Sequence, residues 1–144
     1  MSRKSADEII GFEFDWLACD ADGHVAQFST AGGGYAPGGF LRDTDAHGAA
    51  IDAILAAPVT TRPRFAPEIP GPNNTWRDMA ERGIFAFDSS FHGGPYRLVA
   101  APEVPIRVHA LPDPVAEIAR RIVFSELRFR ALSEIPDQLL CPQP

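Results

Sequence analysis

The chain has 144 residues, with 13 Lys and Arg against 19 Asp and Glu, a formal net charge of −6 and a pI near 5.1. That balance argues against nucleic acid and anionic membrane as partners, because both require clustered basic side chains. Lys4 is the only lysine, which removes a P-loop lysine and a Schiff-base lysine from consideration.

The length suits one domain spanning residues 1–144, with a core that needs neither disulfide nor metal. The 14 prolines predict fixed turns and irregular connections. Cys19 and Cys141 lie far apart with no CxxC spacing, so both read as free thiols of a reducing cytosol. The start, MSRKSADEII, carries no apolar h-region, and no apolar run approaches the roughly 20 residues of a membrane span. The expectation is a cytoplasmic protein.

In chain order, Phe12 to Asp20 alternates with period two. Phe12, Phe14, Trp16 and Ala18 share one face, and Glu13, Asp15, Leu17 and Cys19 share the other. Ala21-Asp22-Gly23 then closes a hairpin with a left-handed glycine, and His24 to Thr30 returns as the second strand. That register pairs Asp20 with His24, Ala18 with Ala26 and Trp16 with Phe28. Arg42 to Pro58 reads as a helix capped by Asp43 or Asp45, with Ala46, Ala50, Ile51, Ile54 and Leu55 as its apolar stripe. Residues 58–72 hold five prolines and read as an irregular surface crossing.

Thr75-Trp76-Arg77-Asp78 fits a capping box, with Trp76, Met79 and Ala80 facing inward and Gly83 ending a short helix. Ile84 to Asp88 and Tyr96 to Ala100 read as strands joined by Ser89 to Pro95, and Ile106 to Ala110 reads as a further strand. Asp113-Pro114 opens a helix with Asp113 as N-cap and Val115, Ile118, Ala119 and Ile122 inward. Glu126 to Ala131 returns to period two, and the tail from residue 133 reads as extended. The fold class expected is α+β: one antiparallel or mixed sheet of about five or six strands, packed with about three helices.

Several stretches carry possible chemistry. Placing Gly23 at position six of a calcium loop leaves Ala18 and Ser29 where anchoring ligands belong, so Asp20 and Asp22 read as turn residues. Gly32 to Gly39 lacks the Lys-Ser/Thr of a P-loop and the third Gly of a dinucleotide fingerprint; it reads as a loop, with a ligand groove as the alternative. Asp43, Asp45 and His47 lie where capping explains the carboxylates, and His24, His47, His92 and His109 show no metal-ligand spacing. Asp88, Ser90 and His92 supply the residue types of a hydrolytic acid, nucleophile and base, but no GxSxG elbow accompanies them, and a polar loop explains them as well. Arg120, Arg121, Arg128 and Arg130 read as a solvated, ion-paired face.

The order Phe14-Asp15-Trp16, Asp20-Ala21-Asp22-Gly23, Phe28-Ser29-Thr30-Ala31-Gly32-Gly33-Gly34 resembles the opening of small uncharacterised bacterial proteins, some of which look like immunity or antitoxin-type partners. The resemblance extends to Asp88 ahead of Pro95-Tyr96 and implies no catalytic residue.

The functional expectation is a non-enzymatic, protein-binding domain of immunity type that uses no cofactor or metal. An acidic face meets a basic partner, and Tyr35, Phe40, Phe91 and His92 are the candidate contacts. The alternatives are a small hydrolase or ligand-binding enzyme built on Asp88, Ser90 and His92, and a metal-binding module formed if two histidines converge with a carboxylate.

Overall fold

The computed structural model describes residues 3–65 and 74–141. It holds one mixed sheet with helices packed against it, an α+β architecture. The chain opens with α1 (Ala6–Ile9), fixed by a capping box in which Glu8 N–H donates to Ser5 Oγ and Ser5 N–H donates to Glu8 Oε1. The hairpin β1 (Asp15–Asp20) and β2 (Val25–Ser29) follows in the expected register, Trp16 opposite Phe28 and Ala18 opposite Ala26, with Gly23 at φ 80° closing the turn. Then come α2 (Gly38–Leu41), α3 (Thr44–Leu55) and β3 (Pro63–Phe65). The chain continues through α4 (Asn74–Ala80), β4 (Phe85–Asp88), β5 (Tyr96–Pro102) and α5 (Asp113–Ala119). It ends with β6 (Val123–Phe124), β7 (Glu134–Ile135) and α6 (Asp137–Leu140).

The sheet order is β3-β5-β4-β2-β1-β6, with β7 also pairing β5. β2–β4 and β1–β6 are parallel and the other pairs antiparallel. The hairpin is therefore central and is covered on both faces. One face carries Trp16, Ala18, Ala26, Phe28, Phe85 and Phe87 beneath Phe40, Leu127, Phe129, Ile135 and Leu140. The other carries Leu17, Cys19 and Val25 beneath Ala50, Ile51 and Ile54 of α3 and Val115 and Ala119 of α5. Leu17 and Cys19, on the face opposite Trp16 and Ala18, are thus buried as well.

Asp43 caps α3, its carboxylate accepting from Ala46 N–H at 3.4 Å. Other boundaries move. α4 begins at Asn74, so Thr75 lies inside its first turn, and the cap position falls outside the described residues. Pro112 occupies the N-cap position of α5, and no side chain caps that helix. Residues 108–110 form a turn of 3-10 helix instead of a strand, and only Arg107 bridges to His24. Glu126 to Ala131 also coils, with 3-10 helix at 129–131; its period-two pattern survives only as burial of Leu127 and Phe129. The tail is partly ordered into β7 and α6, because Ile135 and Leu140 reach the core. Residues 58–65 of the proline-rich crossing include β3; residues 66–72 lie outside the described residues. No helix among the described residues is long and apolar enough to cross a membrane.

Candidate functional site

β1 starts, and β2 and β4 end, at the same end of the sheet. Three connections meet there: residues 10–14, the glycine run after β2, and the Ser89–Pro95 loop. Gly33 N–H and Gly34 N–H both donate to Thr30 O, while Ala31 and Gly32 take φ of 54° and 94°. Left-handed backbone at Ala31 is a strained conformation for a residue with a side chain. Gly33 lies so close to the opposite loop that a Cβ there would overlap the Phe91 carbonyl and stand 2.6 Å from Gly93 N. A Cβ on Gly34 would meet Ser89 Cβ at 2.6 Å and Tyr96 Oη at 2.8 Å. These glycines let two loops touch backbone to backbone, a role the phosphate comparison does not capture.

The junction leaves large apolar side chains in solvent. Gly11 N–H donates to Gly32 O at 2.8 Å, so Ile10 and Phe12 flank the contact. The Phe91 ring lies over Gly32, 3.1 Å from where its Cβ would be. Ile10, Phe12 and Phe91 are 64%, 65% and 64% exposed. Such residues singly are ordinary; these three sit on segments that meet at Gly32.

Carboxylates adjoin it. Asp15 pairs with Ser29 across β1–β2, and Ser29 pairs with Asp88 across β2–β4, which places both acids on one face. Burial raises the Asp88 carboxyl from its ordinary 3.8 to about 6, Glu13 and Asp15 adding like charge. Burial also raises Asp15, the Ser29 side chain pulling the other way. Asp15 Oδ1, Asp88 Oδ1 and both polar side-chain atoms of Gln27 are enclosed without a well-formed hydrogen bond. From Asp15 an open groove of about 510 Å³ runs along α3, lined by Glu13, Asp45 and Asp52 as well as Thr44. No basic side chain lines it among the described residues.

The candidate residues separate. Phe91 and His92 are exposed on the junction, their rings edge to face at 5.5 Å. Phe40 is fully buried in the core, packed edge-on against Phe14 and His47, and this removes it as a partner contact: α2 turns it inward. Tyr35 is half-buried on a different surface, in a groove of about 650 Å³ with Gly38, Gly39, Arg42, Arg121 and Cys141.

The hydrolytic geometry is not assembled. Ser90 Oγ donates to Gly93 O at 2.6 Å, a turn contact, while His92 stands in solvent and Asp88 faces Asp15. No hydrogen bond joins any two of the three among the described residues.

The histidines also disperse. His47 is buried, its Nδ1 accepting from Leu17 N–H at 3.0 Å, and burial lowers it from 6.5 to about 4. His109 and His92 are exposed. His24 is buried at the hairpin tip near Asp20 and Asp22; among the described residues this is the gathering of metal-capable groups, and it contains one histidine, not two. Asp20 serves the turn: Oδ1 accepts from Asp22 N–H and His24 N–H, and Oδ2 from Phe129 N–H at 2.8 Å. Cys19 Sγ donates to Ala119 O, and burial pushes its thiol up to about 11, which keeps it protonated and inert. Arg121 pairs with Asp43 and Glu117, and Arg128 with Asp22.

The periodicity indicated the loops but not the acid pair. Asp15 and Asp88 become neighbours only through the parallel β2–β4 pairing, which no local pattern announces. Comparison with protein-family models, with curated proteins and with solved structures finds no match.

Proposed function

We propose that the chain is a non-enzymatic protein-binding domain whose docking surface is the loop junction around Gly32, and that its partner is a protein with a basic surface. The observation that carries this reading is the exposure of Ile10, Phe12 and Phe91 together, where the glycine run seats the Ser89–Pro95 loop. Aromatic anchors beside charge are the usual makings of an interface hot spot. Glu13 and Asp15 line a groove with no basic side chain among the described residues, and both add like charge at Asp88. A lysine or arginine from a partner relieves that repulsion, which makes the partner basic and the association salt-dependent. His92 lies at the rim and Tyr35 outside the surface. Both cysteines are free, which suits work in a reducing cytoplasm. An immunity-type role, in which the domain occludes a basic cleft, is the specific form of this reading.

The test compares wild type with a Phe12→Ser/Phe91→Ser variant in affinity enrichment from the source cells, followed by titration of the purified partner. Val104→Ser, an exposed apolar residue elsewhere, is the control. The expected result is a partner whose affinity falls at least about 30-fold in the double variant, as for a hot spot, and weakens with salt, with the control unchanged. Equal affinity of the double variant and wild type overturns the reading.

A further inference from the structure

At the opposite end of the sheet, the hairpin tip carries a second arrangement that its turn role does not exhaust. One ligand atom each from Asp20, Asp22 and His24 lies within 4.8 Å of the others. A carboxylate offers about four lone-pair positions. The turn uses two on Asp20 Oδ1, through Asp22 N–H and His24 N–H, and one on Oδ2, through Phe129 N–H. The position left over is on Oδ2, and Oδ2 faces His24 Nδ1 at 3.9 Å. That nitrogen belongs to a side chain only 4% exposed and has no hydrogen-bond partner among the described residues. A buried polar atom without a partner is uncommon and calls for a cause.

The separation is too long for a hydrogen bond. It does suit two ligands of one ion: donors about 2.1 Å from a metal lie roughly 3.4 Å apart at the tetrahedral angle and somewhat farther apart in wider geometries. Asp22, 28% exposed at the side chain, gives access from solvent; among the described residues its carboxylate pairs with the exposed Arg128, 3.3 Å away, and Arg107 donates to its backbone carbonyl. The His24 ring is held against Phe85, and Asp20 is held by its three N–H donors, the orienting contacts that ligands of a metal site require.

We propose that Asp20, Asp22 and His24 form a binding site for a divalent transition-metal ion, with water completing the coordination. One imidazole with two carboxylates favours ions such as zinc, manganese or cobalt over calcium, which prefers oxygen alone. The ion joins the hairpin tip to the 127–129 segment, already tied by Asp20 to Phe129 and by Ala21 N–H to Leu127 O. It stabilises the native state without touching the protein-docking end.

The test titrates Co²⁺ and Zn²⁺ into tag-free full-length protein, reading the visible Co²⁺ absorption, calorimetric stoichiometry and Tm. One ion per chain is expected, with a Tm that rises with metal concentration. Asp22→Asn, whose side chain leaves the turn backbone unaltered, weakens binding at least about tenfold. Arg128→Ala, which frees Asp22, tightens it by about 1.5- to 5-fold. His24→Gln, checked for folding by circular dichroism, abolishes the Co²⁺ band. No saturable binding overturns the proposal, as does an affinity that Asp22→Asn and Arg128→Ala both leave unchanged, since the ion is then held elsewhere.

Discussion

Asp15 and Asp88 stand two strands apart on one face of the sheet, joined through Ser29, which pairs with each. Neither pairs with a cation among the described residues, and burial leaves Asp88 with a folded-state value of about 6 against an ordinary 3.8. A carboxyl raised on folding binds its proton more tightly in the native state, so it lowers stability as pH rises from about 4 through 6 and the penalty persists above. Asp88→Asn removes that penalty. Discounted for partial exposure, the gain is on the order of 1 kcal/mol at pH 7.5, or a Tm higher by about 3 °C. At pH 4 the variant and wild type should melt together. Thermal unfolding at the two pH values checks this, and an equal shift at both refutes it.

His47 has the opposite sign. Its folded value of about 4 lies below the ordinary 6.5, so the unfolded chain takes up a proton that the native state refuses. Stability is therefore lost as pH falls from about 6.5 to 4. His47→Asn keeps a side-chain acceptor for Leu17 N–H and cannot titrate. Its denaturant-derived stability should be lower at pH 7 because of the space left behind, yet flatter than wild type across that window. An unchanged slope would remove His47 from the acid response.

Trp16 Nε1 donates to Tyr96 Oη at 3.2 Å, and Tyr96 Oη donates to Tyr35 O at 2.6 Å. Tyr96→Phe leaves the buried indole N–H without its acceptor and the Tyr35 carbonyl without this donor. Loss of about 1–3 kcal/mol is expected, measured by urea unfolding. Because Phe fills the same space, a loss under about 0.5 kcal/mol would show that water replaces the hydroxyl.

Gly33→Ala places a methyl on the Phe91 carbonyl. Backbone has nowhere cheap to go, so destabilisation of about 1–3 kcal/mol is expected. The companion Gly48→Ala, on α3 with open space around it, should instead stabilise by up to about 1 kcal/mol through helix propensity. If the two variants behave alike, close loop contact is not what Gly33 provides.

The hairpin was fully legible because turn chemistry and side-chain alternation agree: Gly23 fixes the loop, and Trp16 and Phe28 fix the face. The shared burial of Leu17 and Cys19 was not legible, since alternation states that two faces differ and not that both are covered. Ser5-Ala6-Asp7-Glu8 carries the capping-box pattern that fixes α1. Residues 126–131 imitated a strand because burying Leu127 and Phe129 while exposing Arg128 and Arg130 is a period of two in any extended backbone. At the candidate site, Phe91 and His92 were visible as residues of a projecting loop. Ile10 and Phe12 were not, because what brings them to Gly32 is the Gly11–Gly32 hydrogen bond, a tertiary contact.

Among the described residues the outermost strands are short. β3 has three residues and begins with Pro63, opposite Pro102, while β6 and β7 have two each. A proline has no N–H to offer an incoming chain, and two or three residues give too little ladder to template one. These described edges offer little ladder for edge-to-edge self-association, and concentrated solutions of the folded protein should resist fibril growth through them.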